Sequence, residues 1–292
     1  MKKQVKVLIT GATGKSGGAA IDELLRMGYP VRAMVHSEDE RSKQLEAKGV
    51  EVVLGDFLNL DDISAAMKGI DTAYLCFPVL VPGVLQATAY FAQAAKENGL
   101  KGIINMSQIS ARREAKSNAA QDHWVGEQIL NATGIPTVHL RPTFFDDWFL
   151  YIRDLIQDNS EIVLPFGNGR WAPVDSADLG RVVAKAATDI ANFGGKVLKL
   201  YGPKEYNVFE MAEVISGALG RTVAYKPVTI EQFFEINSKK PASEHFIQHV
   251  THVAEDCVNG IFAGTNDLIE KITGNAPTTL TDFFIRNKAI FN

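Results

Sequence analysis

Cysteine is scarce in this chain: there are two, Cys76 and Cys257, far apart in sequence. One falls in an apolar, strand-like run and the other in an expected helix, so a disulfide framework is excluded and a reducing compartment, the cytoplasm, is expected. Long apolar runs are missing too. The longest, AYLCFPVLVPGVL at 73–85, is broken by Pro78 and Pro82, and neither its length nor its composition suits a membrane span. In the opening MKKQVKVLIT the apolar run stops at Thr10, which reads as a first strand and not as a signal peptide. Charge of one sign is nowhere concentrated. With 30 basic and 34 acidic residues, a net charge of -4 and no block of like charges, no nucleic-acid surface is expected. There is no repeat or low-complexity tract, and 46% hydrophobic and 22% charged residues over 292 positions set aside the disordered and fibrous classes.

What is present begins with LITGATGKSGG at 8–18. Its GKS ending resembles a nucleoside-triphosphate loop, but such a loop needs a glycine five positions before the glycine of GKS, and Ile9 stands there. The glycines fall instead at Gly11, Gly14 and Gly17, after the strand-like Val5, Val7, Leu8 and Ile9 and before the amphipathic Ala20, Ile21, Leu24 and Leu25. Strand, tight turn and helix in that order form the setting of a dinucleotide loop. One glycine makes the turn, one lets the backbone approach the pyrophosphate, and one packs the helix on the sheet. The diphosphate then sits at the helix N-terminus, where unpaired N–H groups and the helix dipole favour an anion. Lys15 and Ser16 are expected to add donors at its rim.

Beyond the loop, strand and helix signals alternate. Strands are expected at 31–35, 50–54, 72–77, 102–106 and 137–141, with helices between them, including one in DDISAAMKG with an aspartate cap and a terminal Gly69, and one from about Val84 to Asn98. This pattern predicts an α/β fold with a doubly wound parallel sheet. After residue 142 the rhythm becomes irregular. KVLKLYG at 196–202 reads as one more sheet strand, capping boxes are expected at Asn207 with Glu210 and at Thr229 with Gln232, and helices at 244–258, 266–273 and 280–290. Residues 1–143 with 173–200 are read as the dinucleotide-binding domain. Residues 144–172 with 201–292 are read as a smaller, mainly helical domain over the carboxyl edge of the sheet, where ligands bind in such folds.

Taken together, TGATGKSG, GDFLNLDDISAAMKGID, LRPTFFDDW, PVDSADLG and TGNAPTTLTDFFIRN occur in the order seen in the NmrA-like group of atypical short-chain dehydrogenases/reductases, which this chain resembles over nearly its whole length. The resemblance implies a Rossmann domain for NADP(H) or NAD(H) and a small C-terminal domain closing the substrate cleft. The group includes NADPH-dependent quinone and dye reductases, as well as members that bind the cofactor as redox sensors without known catalysis. By position, Gly11, Thr13, Gly14, Lys15, Ser16 and Gly17 would hold the pyrophosphate. Asp56 and Phe57 would border the adenine, and Phe77, Pro78 and Ser107 would line the ribose and nicotinamide. Asp56 also suits a turn cap, Phe77 a core position and Ser107 a strand end.

An acidic residue after the second strand binds the ribose 2′-hydroxyl, and a basic one accommodates a 2′-phosphate. Here VHSEDER offers His36 where relatives often carry arginine, with Arg41 farther on, and NADP(H) is favoured over NAD(H). Aligned on the helix that usually bears a Tyr-x-x-x-Lys pair, the chain has Ala119 and His123 at those positions. A four-residue shift matches HWVGE to the HWxGK of sensor-like relatives, with Glu127 replacing lysine. In both registers the usual proton donor is missing, and His123 is the candidate donor or substrate ligand, its ordinary pKa allowing either role near neutrality.

Hydride transfer to a quinone, azo bond or cationic dye does not require that tyrosine, since water can supply the proton and the protein mainly has to stack the acceptor. The aromatic group Phe144, Phe145, Trp148, Phe149, Tyr151, Phe166 and Trp171 suits stacking, with about half of it expected in the core and Phe144, Phe145 and Trp148 as acceptor contacts. His245, His249 and His252 share one face of an expected helix. A pocket lid fits them better than a metal site, which would need converging ligands, so no metal is expected. The expected function is an NADPH-dependent reductase of a small planar aromatic acceptor. The alternative is a catalytically silent NADP(H)-binding redox sensor.

Overall fold

The computed structural model describes residues 4–237 and 242–292; the basic residues at 2–3 lie outside that range. Seven strands form one sheet: β1 (Val7–Ile9), β2 (Val31–Val35), β3 (Glu51–Leu54), β4 (Thr72–Leu75), β5 (Gly102–Met106), β6 (Thr137–Pro142) and, after β7 (Glu161–Leu164) and β8 (Arg170–Trp171), β9 (Val197–Leu200). Their order is β3-β2-β1-β4-β5-β6-β9, and every pairing is parallel. The central strands β1, β4 and β5 are buried at every residue, which explains their unbroken apolar runs: a parallel sheet is covered on both faces. The winding reverses between β1 and β4, and this leaves a crevice at their carboxyl ends.

Helices α1 (Lys15–Arg26), α2 (Glu40–Ala47), α3 (Leu60–Met67), α4 (Val84–Glu97), α5 (Asn118–Ala132), α6 (Arg153–Asn159), α7 (Ser176–Thr188) and α8 (Ile190–Phe193) occupy the first two-thirds of the chain. One face of the sheet packs on α1 and α7 through Ile21, Leu24, Leu179, Val182 and Val183. The other packs on α3, α4 and α5 through Ile63, Met67, Phe91 and Leu130. A third cluster joins Phe144, Phe149 and Trp171 to residues of the C-terminal part, among them Met211, Val253, Phe262 and Phe283. That part holds β10 (Tyr206–Asn207), α9 (Val208–Leu219), β11 (Ala224–Pro227), α10 (Ile230–Asn237), α11 (Glu244–Val258), α12 (Leu268–Thr273), α13 (Leu280–Arg286) and α14 (Lys288–Phe291). No helix among the described residues is long and apolar enough to cross a membrane.

Local differences from the sequence reading have physical reasons. Helix α3 is capped by Asn59, whose Oδ1 accepts from the N–H groups of Asp61 and Asp62 at 3.0 and 3.4 Å, and not by an aspartate. The expected helix at 280–290 divides at Asn287 into α13 and α14. The β7–β11 and β8–β10 pairs are two to four residues long and join segments distant in sequence, so neither carries a periodic signal of its own. Both expected capping boxes are present, at Asn207 with Glu210 and at Thr229 with Gln232.

Candidate active site

The loop after β1 is tied to the end of β4 by Thr10, whose hydroxyl donates to the Tyr74 carbonyl at 2.6 Å and accepts from Cys76 N–H at 3.0 Å. Gly11 turns the chain at φ +60°, and a Cβ there would lie 3.0 Å from the Cys76 carbonyl oxygen. Gly14 is the N-cap of α1 and provides no side-chain cap, so the first N–H groups of the helix are left for another acceptor. Gly17 packs so closely on the turn that a Cβ would sit 2.3 Å from the Gly11 carbonyl oxygen. The Lys15 ammonium stands 3.7 Å from the Asp147 carboxylate. Ser16 turns inward, with its hydroxyl 3.0 Å from that of buried Tyr74.

From this loop a cavity of about 720 Å³ extends along the carboxyl ends of β4, β5 and β6. Of the residues singled out in the sequence, Gly11, Thr13, Gly14, Lys15, Ser16, Arg41, Phe77, Pro78, Ser107, His123, Phe144, Phe145 and Trp148 line it. Gly17, His36, Asp56 and Phe57 do not. Gly17 supports the loop from behind. His36 is exposed on the surface. The Asp56 carboxylate accepts from Leu58 N–H at 2.8 Å, the turn-capping arrangement. Phe57 stands edge-on to Phe77, ring centroids 5.5 Å apart, and so buttresses a wall residue.

The aromatic residues divide between wall and core. Phe145, Trp148 and Tyr151 line the cavity, whereas Phe149, Phe166 and Trp171 are buried in the C-terminal cluster. Phe144 belongs to both and stacks on Phe262 with centroids 4.3 Å apart and planes 7° from parallel. In the same segment Asp146 is fully buried, neither carboxylate oxygen has a partner, and burial, with Asp175 and Asp147 nearby, pushes its pKa well up.

At the candidate catalytic positions the ordinary imidazole pKa does not apply. His123 and Glu127 are one turn apart on α5, and both are buried. Burial lowers the pKa of His123 to about 4, against a smaller upward pull from Glu127, so the ring is neutral at pH 7 and carries no stored proton. Ala119 is fully buried. Glu127 does not face the cavity as a lysine substitute: Arg141 clamps it at 2.8 and 2.5 Å, and the Ser107 hydroxyl donates to it at 2.6 Å.

The three histidines of α11 are engaged separately. His245 Nε2 meets the Val79 carbonyl at 3.0 Å, His249 Nδ1 the Ser117 hydroxyl at 2.8 Å, and His252 Nδ1 the Glu255 carboxylate at 3.0 Å. Only His249 lines the cavity, roofing it beside Val253. Burial, with the His123 and His245 charges, lowers its pKa to about 4. Residues not anticipated from sequence include Met106, Gln108, Thr143, Leu150, Arg153 and Phe262, which belong to no compact motif. Gln108 and Thr143 directly follow a strand or its cap, and that is the one signal they carried.

The buried rings of His123 and His249 make stability pH-dependent, and buried His139, whose pKa burial also lowers, acts in the same direction. The unfolded chain binds protons at His123 and His249 near pH 6.5 and the folded one near pH 4, so stability is full above about pH 6.5 and falls as pH drops from there towards 4. The loss expected is about 3 kcal/mol for each of these two rings. Urea unfolding at pH 7.0 and 4.5 checks this, with the His123→Asn, His249→Asn variant expected to show a smaller loss between the two than the parent.

Comparison with known proteins now gives the family. The model of the NmrA-like family matches residues 2–284. The chain belongs to the NmrA-like family. Among its relatives, an NAD(P)H azoreductase of Xenophilus azovorans is 26% identical over 287 residues, covering 98% of this chain and 99% of the relative. The solved structure of the Escherichia coli NADPH-dependent quinone oxidoreductase QOR2 complexed with NADPH superposes with a TM-score of 0.85 at 22% identity, covering 98% of this chain and all of that one. NmrA itself, a negative transcriptional regulator solved with NAD, has a TM-score of 0.81 at 16% identity over 99% of this chain and 97% of its own. Family membership accounts for the parallel sheet and its glycine loop, and leaves the chemistry to this chain's own residues.

Proposed function

We propose that this chain is an NADPH-dependent reductase that transfers hydride to planar, electron-poor acceptors such as quinones or azo compounds. The observation that carries this reading is one continuous cavity joining the uncapped, glycine-cradled start of α1 to a chamber walled by Phe144, Phe145 and Trp148. The cradle suits a dinucleotide diphosphate, because the close approach at Gly11 and Gly17 has no other evident purpose and the helix end lacks an acceptor. Gly11, Thr13, Gly14 and Lys15 would hold the diphosphate, Arg41 a 2′-phosphate, Phe77 and Pro78 the ribose side, and Ser107 the nicotinamide end. The relatives named for NAD(P)H-dependent azo and quinone reduction support the same assignment.

When bound, the dihydronicotinamide supplies a hydride. This chain's residues stack the acceptor and hold a neutral His123 at the chamber wall, while the proton comes from solvent that reaches the open cavity. In this reading residues 1–143 with 173–200 bind the cofactor, and 144–172 with 201–292 close over the acceptor. NADPH oxidation followed at 340 nm with a panel of quinones and azo dyes tests it, with NADH in parallel. Acceptor-dependent turnover is expected; tight cofactor binding with no turnover of any acceptor would establish a redox sensor instead.

Cofactor choice is expected to turn on Asp39. The Arg41 guanidinium is held by Asp39 Oδ2 at 2.9 and 2.5 Å, while Oδ1 of the same carboxylate caps α2 by accepting from Arg41 and Ser42 N–H. Asp39→Asn keeps the cap oxygen and removes the charge that competes with a 2′-phosphate. NADPH affinity should rise about two- to fivefold with NADH affinity unchanged, as read by fluorescence titration.

A further inference from the structure

Two buried imidazoles line the cavity, His123 on α5 and His249 on α11, which packs on α5. Helix α11 brings His249 close enough to His123 that a charge on one opposes a charge on the other. His123 stands one turn before Glu127, which the Ser107 hydroxyl meets at 2.6 Å, so the pair lies by the end of β5. On His249 the two ring nitrogens differ. Nδ1 is 2.8 Å from the Ser117 hydroxyl. Ser117 is fully buried, and its Oγ already accepts from Ala120 N–H at 3.2 Å as the N-cap of α5. Among the described residues, Nδ1 is then the one acceptor in reach of the hydroxyl hydrogen, and a buried hydroxyl without an acceptor is costly. The serine therefore donates to Nδ1. The ring, kept neutral at pH 7 by burial, carries its single hydrogen on Nε2. That N–H has no partner among the described residues and, unlike the amide of Gln108, is not sealed inside the protein. On a residue that is 5% exposed and lines the cavity, it is an unspent donor that a ligand can reach.

We propose that His249 is a catalytic residue whose Nε2–H, aimed by Ser117, donates to a carbonyl oxygen of the acceptor and stabilises the negative charge that forms there, so that quinones are preferred over cationic dyes. The inference rests on the reductase reading above. Arrival of a hydride at one quinone oxygen forms an O–H bond and brings two electrons, while the C–H bond of the dihydronicotinamide breaks and that ring is oxidised. The quinone ring becomes aromatic, the charge collects on its other oxygen as the hydroquinone monoanion, and a proton from solvent completes the hydroquinone. A neutral imidazole at that oxygen gives a hydrogen bond and keeps its proton. Such a bond is stronger to the product-like anion than to the neutral quinone, which is the condition for accelerating the step. A cationic triarylmethyl dye takes its hydride on carbon and becomes neutral, so the donor gains nothing there. The cavity also suits a cation poorly, since Asp147 is the only carboxylate among the described lining residues, against Lys15, Arg41 and Arg153.

Two variants separate the ring from its donor. His249→Phe keeps the ring shape and loses the N–H, whereas His249→Gln brings an amide N–H close to the place of Nε2. For each, NADPH Kd is read by fluorescence titration and kcat and KM are measured with 1,4-naphthoquinone; the parent is also assayed with crystal violet as the cationic acceptor. Both variants are expected to keep NADPH Kd within about twofold, which reports an intact fold, while His249→Phe loses roughly 100-fold in kcat with KM much less affected. His249→Gln is expected to recover to within about tenfold of the parent kcat, and the parent to have the higher kcat/KM for the quinone. Unchanged kcat in His249→Phe, or an equal loss in both variants, overturns the inference. So does a matching loss in NADPH affinity, which would give the N–H to the cofactor, or a parent that favours the dye. A parent that binds NADPH and reduces neither quinone nor dye overturns the reductase reading itself, and the inference with it.

Discussion

Gly17→Ala is expected to abolish measurable NADPH binding while the neighbouring Gly18→Ala leaves it intact. At Gly17 a Cβ would lie 2.3 Å from the Gly11 carbonyl oxygen and 2.8 Å from its carbon. Both are backbone atoms of the turn itself, so no side chain can step aside. The first turn of α1 has to move off the loop, carrying with it the N–H groups that would meet the diphosphate. Overpacking of this kind costs about 1–3 kcal/mol or more, and the displaced donors add to it on the binding side. An affinity loss of at least about 100-fold is expected, equivalent to ~2.7 kcal/mol, with a lowered melting temperature. At Gly18 the added methyl would meet only the Ala12 carbonyl oxygen at 3.6 Å, an ordinary contact, and alanine favours the helix. Equal NADPH affinity in the two variants would show that the close approach is not what shapes the site.

The second large effect is expected at Glu127. Its side chain is 2% exposed and that of its partner Arg141 16%. Glu127→Leu leaves a buried guanidinium without its counter-ion and the Ser107 hydroxyl without its acceptor. Breaking a buried pair from one side typically costs about 3–5 kcal/mol, whereas replacing both partners by apolar groups is often neutral. Urea unfolding should therefore show the single variant destabilised by that amount and Glu127→Leu, Arg141→Met largely restored. A single variant as stable as the parent would mean that the pair is solvated. Because Glu127 also opposes the burial effect on His123, its loss moves that imidazole further from protonation at neutral pH.

Much of the sheet was legible because a parallel, doubly covered strand must be an uninterrupted apolar run, as at Gly102–Met106, and because Gly28, Gly69, Gly99 and Gly134 mark helix ends with positive φ. The glycine loop was legible for the same kind of reason: its spacing encodes backbone approach, which is local. The surroundings of the candidate catalytic residues were not. Nothing in HWVGE reveals that Arg141, fourteen residues on and in another strand, claims Glu127, or that burial keeps His123 neutral. Side-chain identity gives a histidine its ordinary pKa, and only the surroundings remove it. His249 shows the same limit, because an unspent N–H is a property of everything around it and a sequence contains no such statement.

The position of α7 in the chain has a consequence for biosynthesis. This helix lies on α1 and against β4 and β5, and the Thr72 hydroxyl fastens to its Ala187 carbonyl at 2.9 Å. Yet it follows β6, and β7 and β8 intervene. While a ribosome is extending the chain through β6, the face of the sheet that carries Tyr74 and Ile104 and one side of α1 still lack the cover that Leu179, Val182 and Val183 provide. A nascent chain halted there presents an open apolar surface, the condition in which partly made domains aggregate or recruit chaperones. The helix that seals this face of the parallel sheet is among the last parts of the sheet-bearing half to be synthesised.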